Sequence, residues 1–153
     1  MIDGIDAKIL NIIHKNARIQ NAEIARRVEM APSAVLERIR KLEERGIIMG
    51  YQARLNAEAL GWGLVAFVFV KTDDRVGGIA TAKQIARLPE VQEVHDVAGD
   101  DCYLLKVRVK DTRHLMKLMR EKLGKMKAVR STRTTIVLET IKESSELLIP
   151  ENP

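Results

Sequence analysis

The hydrophobic positions in the first third of the chain recur at helical spacing and predict three helices. The first covers about three turns after Asp3, whose carboxylate is placed to cap it. The second begins with Asn21 as its cap and ends near Glu29, and the third runs from Pro32 to a stop at Gly46. The stripe of the first helix consists of Ile5, Ile9, Ile12 and Ile13. The stripe of the third consists of Val35, Leu36, Ile39 and Leu42.

The connection between the second and third helices is only a few residues long. Two short helices joined by a brief turn after a supporting helix are typical of a helix-turn-helix, whose second helix enters the DNA major groove. The predicted DNA-contacting residues are Ser33, Ala34, Glu37, Arg38, Arg40 and Lys41, and Arg45 also faces outward. Arg can bind guanine bidentately and Lys can neutralise phosphate. The alternating Glu and Arg also fit the solvated face of an ordinary three-helix bundle, so spacing alone leaves both interpretations open.

The pattern of apolar and turn-forming residues changes after the third helix. Residues 47–55 predict a short strand or wing, and the turn-forming residues 56–63 predict a hinge. We therefore place a helix-turn-helix domain at residues 1–50, a linker at 51–64 and a second domain at 65–153.

The second domain shows the order strand, helix, strand, strand, helix, strand. The predicted elements are Val65–Lys71, Ile79–Leu88, Val91–Val97, Tyr103–Val109, Thr112–Leu123 and Val129–Ile141. This βαββαβ order predicts a ferredoxin-like sandwich, an antiparallel sheet with both helices on one face. The predicted fold class is α+β, with a winged helix-turn-helix preceding the sandwich.

Several strands are apolar on both faces, which one layer of helices cannot cover. Residues 65–70 have no polar side chain, and Leu104 opposes the apolar face of its own strand. Ile136 and Leu138 likewise oppose Val137 and Ile141. We expect the uncovered face to meet a second copy in a symmetric homodimer, which would present two recognition helices to DNA.

The composition limits the kinds of partner and the cellular compartment that we expect for this chain. Hydrophobic residues make up 46% of it and aromatic residues 3%, and the formal net charge is +5. A net positive charge favours polyanionic partners, although residues 1–60 contribute only +2 to it. The single cysteine, Cys102, excludes an intrachain disulfide and a cysteine-based zinc cluster. No apolar stretch is long enough for a membrane span, so we expect a cytoplasmic, nucleoid-associated protein.

The chain resembles the Lrp/AsnC, or feast/famine, family of regulators along its whole length. The N-terminal residues that carry the resemblance are Asp6-Ala-Lys-Ile-Leu10, Asn16-Ala-Arg18, Glu23-Ile-Ala25, Pro32-Ser-Ala-Val35, Arg38-Ile39, Leu42-Glu-Glu-Arg-Gly-Ile-Ile48 and Gly50-Tyr51. The C-terminal ones are Leu88-Pro-Glu-Val91, Ala98-Gly-Asp-Asp-Cys-Tyr-Leu-Leu105, Ser131-Thr-Arg-Thr-Thr-Ile-Val-Leu138 and Lys142. Three positions depart from the family pattern. Cys102 stands where many members have an acidic residue, and Glu29 and Ala31 stand where glycine and serine are usual.

The resemblance implies a homodimer that assembles into tetramers or an octamer, binds double-stranded promoter DNA and responds to an amino acid. It also implies an effector pocket between dimers. The residues it assigns to that pocket are Gly99, Asp100, Asp101, Cys102, Thr132 and Thr134. A loop glycine allows close approach of the backbone, hydroxyls can pair with an α-carboxylate, and a carboxylate can pair with an α-ammonium group.

Enzymatic interpretations find little support in the sequence. Cys102 and His95 lack an activating signature, and the acidic pairs Asp73-Asp74 and Asp100-Asp101 have no histidine beside them, so we predict no metal, no cofactor and no catalytic residue. Two alternatives stay open: a metabolite-binding module with a vestigial helix-turn-helix, and a sirohaem-type tetrapyrrole decarboxylase of related architecture. The second would need aromatic walls that so few rings do not provide.

Overall fold

The computed structural model describes residues 2–75 and 78–150. The chain forms two compact units. The first contains the residues up to Arg54 together with the segment that begins at Glu143, and the second is Leu55–Lys142. This division differs from a second domain that continues to residue 153, because the last described segment belongs with the N-terminal helices.

Three hydrogen bonds hold that C-terminal segment to the first unit. The Asn11 side-chain amide donates to the carbonyl oxygen of Ile149 at 3.2 Å. The backbone N–H of Leu147 donates to Nε2 of His14 at 2.9 Å. The Arg54 guanidinium donates to the Glu143 carbonyl oxygen at 2.7 Å. Sequence patterns do not predict these contacts, which join residues far apart in the chain.

The predicted three helices of the first unit are confirmed as α1 (Gly4–Lys15), α2 (Asn21–Val28) and α3 (Pro32–Glu44). Their shared core consists of Ile9, Ile13, Ile24, Ala25, Val35 and Ile39. Leu36 was wrongly placed in the α3 stripe, since 55% of it is exposed. It follows Val35 by one residue and is turned about 100° away from the buried face.

Local capping chemistry begins α1 as predicted. The Asp3 carboxylate accepts a hydrogen bond from the Asp6 N–H at 2.8 Å, and the Asp6 carboxylate accepts one from the Asp3 N–H at 3.3 Å. The prediction for α2 was wrong by one residue, because Gln20 is the N-cap and makes no side-chain cap bond. Pro32 opens α3 after Ala31, which has no side-chain oxygen to cap the helix.

The end of α3 also follows the prediction. Gly46 has a φ of 67°, the left-handed conformation that favours glycine. Its N–H donates to the Glu43 carbonyl, and the Ile47 N–H donates to the Leu42 carbonyl, both at 2.9 Å. This pair of bonds is the Schellman arrangement, which satisfies the last carbonyls of the helix.

Glu29, between α2 and α3, is strained because a non-glycine residue there has a φ of 55°. We expect Glu29→Gly to stabilise the first unit by about 0.5–1 kcal/mol, since glycine adopts this conformation without steric cost. Ala22→Gly in α2 should instead destabilise it by up to about 1 kcal/mol. Urea unfolding of both variants tests this, and equal losses of stability would contradict it.

The segment after α3 corrects the expected strand at residues 47–55. Between residues 45 and 63, all of them described, the backbone forms no strand ladder. Instead the Tyr51 hydroxyl donates to the Glu43 carboxylate at 2.9 Å, and Ile48 packs against the helical core. Burial and the Glu43 carboxylate together raise the pKa of Tyr51 to about 12. The predicted turn follows, with the Trp62 N–H donating to the Ala57 carbonyl at 2.8 Å.

The second unit has the predicted βαββαβ order. Its elements are β1 (Leu64–Thr72), α4 (Ala80–Ile85), β2 (Val91–Asp96), β3 (Tyr103–Val109), α5 (Thr112–Lys117) and β4 (Val129–Ile136). The sheet is antiparallel in the order β2-β3-β1-β4, as in a ferredoxin-like sandwich. A π turn at Leu118–Lys122 and a 3-10 turn at Leu123–Lys125 extend α5.

The two faces of the sheet differ in burial. Val68, Val70, Leu105 and Val107 are fully buried in a core that also contains residues of α4 and α5. On the opposite face Phe69 and Leu104 are half-buried register partners. β4 is shorter than predicted, and the residues after it include Leu138 and Ile141, which are 98% and 85% exposed. Within the described part of the chain, every helix is too short or too polar to cross a membrane.

Candidate nucleic-acid interface and effector site

The outer surface of α3 carries the predicted DNA-contacting side chains. Ser33, Glu37, Arg40 and Lys41 are exposed, and Ala34 is half-buried. Lys41 pairs with Glu37 at 2.8 Å and Arg40 pairs with Glu44 at 3.4 Å, each one helical turn apart. Exposed pairs of this kind are weak, so the cations can exchange their carboxylates for phosphates.

Arg38 differs from its neighbours on α3, because its guanidinium already has two partners. Nη1 lies 2.7 Å from Oδ2 of Asp3 and 2.7 Å from Oδ1 of Asp6. The Arg38 side chain is 29% exposed, and that of Asp6 only 11%. The Asp6 N–H and the Arg38 guanidinium lower the pKa of Asp3. The outward placement predicted for Arg38 is therefore corrected to a half-buried one that joins the start of α1 to the middle of α3.

A shallow cleft beside this ion pair has a volume of about 280 Å³. Its walls are formed by Asp6, Ala34, Glu37, Arg38, Lys41, Leu42 and Arg45. Because Lys41 and Arg45 are exposed at its rim, the cleft offers cationic groups to a ligand next to the carboxylate of Glu37.

The loop between β2 and β3 places part of the predicted effector site at the end of the sheet. Asp101 pairs with Arg133 of β4 at 3.0 Å. The Arg133 guanidinium lies 4.1 Å from the centre of the Phe69 ring, on the face opposite the helices. Asp100 is exposed, and a Cβ added at Gly99 would meet no atom within 4 Å. The loop is therefore open on this side.

The two threonines of the predicted site lie on the other face of β4. Thr132 and Thr134 are register partners of Val70 and Val68, whose side chains belong to the helix-covered core. The Thr134 hydroxyl lies 3.9 Å from the sulfur of Met119, which confirms this side. One chain thus places Asp101 and the two threonines on different faces at the edge of the sheet.

Cys102 is turned towards β1. Its sulfur accepts a hydrogen bond from the Thr72 N–H at 3.4 Å, and its own N–H donates to the Val70 carbonyl at 3.0 Å. The thiol therefore helps to hold the loop to the sheet where the family pattern often has an acidic side chain.

Comparison with known proteins agrees with both units. A family model described as the Lrp/AsnC ligand binding domain matches residues 65–147, and a winged helix-turn-helix DNA-binding model matches residues 2–49. The chain belongs to the Lrp/AsnC family. The leucine-responsive regulatory protein of Escherichia coli is 42% identical over 152 residues, which cover 97% of this chain and 92% of that protein.

Solved structures of Lrp/AsnC regulators share its fold. A Neisseria meningitidis transcriptional regulator in complex with L-methionine has a TM-score of 0.89 at 30% identity, with 97% of each chain covered. The feast or famine regulatory protein of Mycobacterium tuberculosis, complexed with L-methionine, has a TM-score of 0.88 at 35% identity and covers 98% of this chain and all of that one. The protein is an Lrp/AsnC-type DNA-binding transcriptional regulator.

Sequence reasoning missed one residue beside the predicted effector site. Arg133 lies between Thr132 and Thr134 and is the only cation in the Thr-x-Thr stretch. Strand alternation places it on the opposite face from its neighbours, beside Asp101, and that alternation was the available signal. Nowhere in residues 2–75 and 78–150 do three or more His, Cys, Asp or Glu side chains form a group suited to a metal ion.

Proposed function

We propose that this regulator binds operator DNA through the exposed face of α3. When an amino acid binds at a site formed by the β2–β3 loop and β4, the protein changes its DNA binding or its assembly. The observation that supports both parts is the occurrence of a helix-turn-helix with an exposed cationic third helix and a ferredoxin-like ligand-binding unit in one chain. The role is regulatory and non-enzymatic, and its place is the cytoplasm, on the nucleoid.

The DNA-binding part assigns different tasks to the side chains of α3. Ser33 and Arg40 are placed to contact bases or phosphates, with Ala34 and Glu37 beside them. Lys41 is a phosphate contact, because its ammonium is exposed and, among the residues that the structure describes, it pairs with the exposed Glu37 alone. Arg38 acts mainly by seating the helix, through its pairs with Asp3 and Asp6.

Lys41→Ala is expected to weaken binding to promoter and scrambled DNA by the same factor. Loss of one phosphate contact should also reduce the slope of log K against log salt by about 0.9. Lys41→Arg keeps the charge and serves as the control. A loss of affinity that is confined to the promoter sequence would contradict the assignment to phosphate.

The effector part rests on the chemistry of an amino acid, which has one cation and one anion on the same carbon. Asp100 and Asp101 can bind the α-ammonium group, while the Thr132 and Thr134 hydroxyls and the backbone at Gly99 can bind the α-carboxylate. Cys102 lines the same loop. The two solved relatives that contain L-methionine support an amino acid as the class of ligand.

The division of these groups between two sheet faces supports an assembled site. Since Asp101 and the threonines of one chain lie on different faces, we infer that a second copy completes the pocket. The half-buried Phe69 and Leu104 provide an apolar surface for that copy. Homodimers, and tetramers or octamers built from them, would bring the Asp101 carboxylate of one copy close to the threonine hydroxyls of another.

The test is a salt titration of the protein on its own promoter DNA and on scrambled DNA, with and without each of the twenty amino acids. We expect selective, salt-sensitive binding that one or a few amino acids shift. Asp101→Asn should weaken that shift, whereas Asp73→Asn, which alters an ion pair with Arg130, should preserve it. Amino-acid binding without any selective DNA binding would instead support a metabolite-binding module, and absence of both would overturn the proposal.

A further inference from the structure

The positive charge of this chain is concentrated outside its DNA-binding unit. Residues 106–133 contain eleven Lys or Arg and two Asp or Glu, a net charge of +9. The whole chain carries +5, so the remaining residues together are acidic by four charges. Four of the eleven, Lys106, Lys122, Arg130 and Arg133, pair with carboxylates outside this stretch. The cations that remain need an explanation other than the recognition helix.

Several cations of the first unit are compensated by neighbouring carboxylates. Glu23 holds Arg26 and Arg27, each at 2.8 Å, and these two guanidinium groups lower its pKa to about 2. Arg40 and Lys41 are paired on α3, as described above. The potential around the helix-turn-helix is therefore weaker than its count of basic residues indicates.

The exposed cations on α5 and its extension have no neighbouring carboxylate partners among the described residues. Arg113, Lys117 and Arg120 are exposed at positions i, i+4 and i+7, on the side opposite the buried Leu115 and Leu118. Lys125 and Lys127 follow and are also exposed. Within the described ranges none of these five side chains has an ion-pair partner. We call Arg113, Lys117, Arg120, Lys125 and Lys127 the α5 basic surface.

We propose that the α5 basic surface is a second, sequence-independent DNA-binding surface that contacts the phosphate backbone of double-stranded DNA. The inference rests on the proposed function, since it adds a contact for the same duplex. Arg113 to Arg120 span about 10 Å along the helix, roughly three base pairs at 3.4 Å each. Unpaired cations at this spacing release counterions when they meet phosphates, which adds affinity without reading bases.

The test compares the full-length protein with Arg113→Gln/Lys117→Gln/Arg120→Gln on promoter duplex, scrambled duplex and single-stranded RNA, at several salt concentrations. We expect about tenfold weaker binding to both duplexes, an unchanged ratio between them, and a salt slope reduced by up to about 3. Arg113→Lys/Arg120→Lys keeps all three charges and should bind like the parent. The double variant Lys117→Gln/Arg120→Gln should show about two thirds of the reduction in slope.

The outcomes separate this inference from the proposed function. If the parent protein shows no selective promoter binding, the proposed function itself fails. If the parent is selective and the triple variant has the same affinity and slope, only the second surface is wrong. A loss confined to single-stranded RNA, or one that changes the ratio between promoter and scrambled DNA, would also overturn it.

Discussion

Arg38→Ala is expected to destabilise the first unit by about 1–3 kcal/mol, because it leaves the carboxylate of Asp6 without its cation. The Asp6 side chain is only 11% exposed, so water cannot fully replace the lost guanidinium. Loss of the link between α1 and α3 should also loosen the seating of the recognition helix. Urea unfolding followed by circular dichroism measures the stability, and duplex titration measures the binding.

Two control variants separate a seating role for Arg38 from direct base reading. Asp3→Asn removes the more exposed partner, 53% exposed, and should cost less stability than Arg38→Ala. Asp6→Asn should cost more and should weaken DNA binding although Asp6 itself faces Arg38. An Arg38→Ala protein of unchanged stability that loses only its preference for the promoter would show that Arg38 reads a base.

Lys122→Met is expected to destabilise the second unit by about 2–3 kcal/mol at pH 7. The Glu90 carboxylate is 5% exposed and accepts hydrogen bonds from Lys122 at 2.6 Å and from His114 at 3.2 Å. Its second oxygen has no partner in the described part of the chain, so the ammonium is its principal compensation. Breaking a fully buried pair costs about 3–5 kcal/mol, and the 39% exposure of Lys122 reduces this.

The stability that Lys122→Met loses relative to the parent should depend on pH, and the pKa of Glu90 determines whether that loss rises or falls with pH. Burial alone raises the pKa of Glu90, but the Lys122 ammonium and the other donors outweigh it and hold the pKa below its ordinary 4.5. In the parent the ion pair stabilises the fold above about pH 4.5 and is lost as pH falls through the lowered pKa. Without Lys122 burial dominates, so the difference in stability should grow between pH 4 and pH 7.

Unfolding at pH 4, 5.5 and 7 measures that dependence. Lys125→Met changes the same type of side chain at an exposed position and should alter stability by no more than about 0.5 kcal/mol. A Lys122→Met deficit that is constant with pH would mean that the lost stability comes from packing of the lysine stem rather than from the carboxylate.

The features that the sequence predicted well depend on near neighbours. Asp3 caps α1, Pro32 begins α3 and Gly46 ends it, because each acts on backbone groups within a few residues. The alternation of β3 placed its bounds at Tyr103 and Val109. These local signals were enough for the two-unit α+β fold.

The features that it missed depend on distant neighbours or on competition between neighbours. Arg38 pairs with Asp6, which lies 32 residues earlier in the chain, and hydrophobic periodicity does not predict such a pair. β4 cannot continue to Ile141, because β1 begins at Leu64 and in the observed register has no partner for residues beyond 138. The effector candidates were correctly spaced in the sequence, yet which sheet face each occupies followed only from the β1–β4 register.

The docking of the C-terminal segment on α1 decides where a reporter group should be attached. A fluorophore on a cysteine introduced at Leu148, which is 97% exposed, would follow the motion of the helix-turn-helix although it is attached after the effector unit in the sequence. Cys102 is the native thiol, and its sulfur lies in the effector unit beside Thr72. The label therefore belongs at Leu148 alone, because Cys102 lines the proposed effector loop and a dye on its thiol would alter the response being measured.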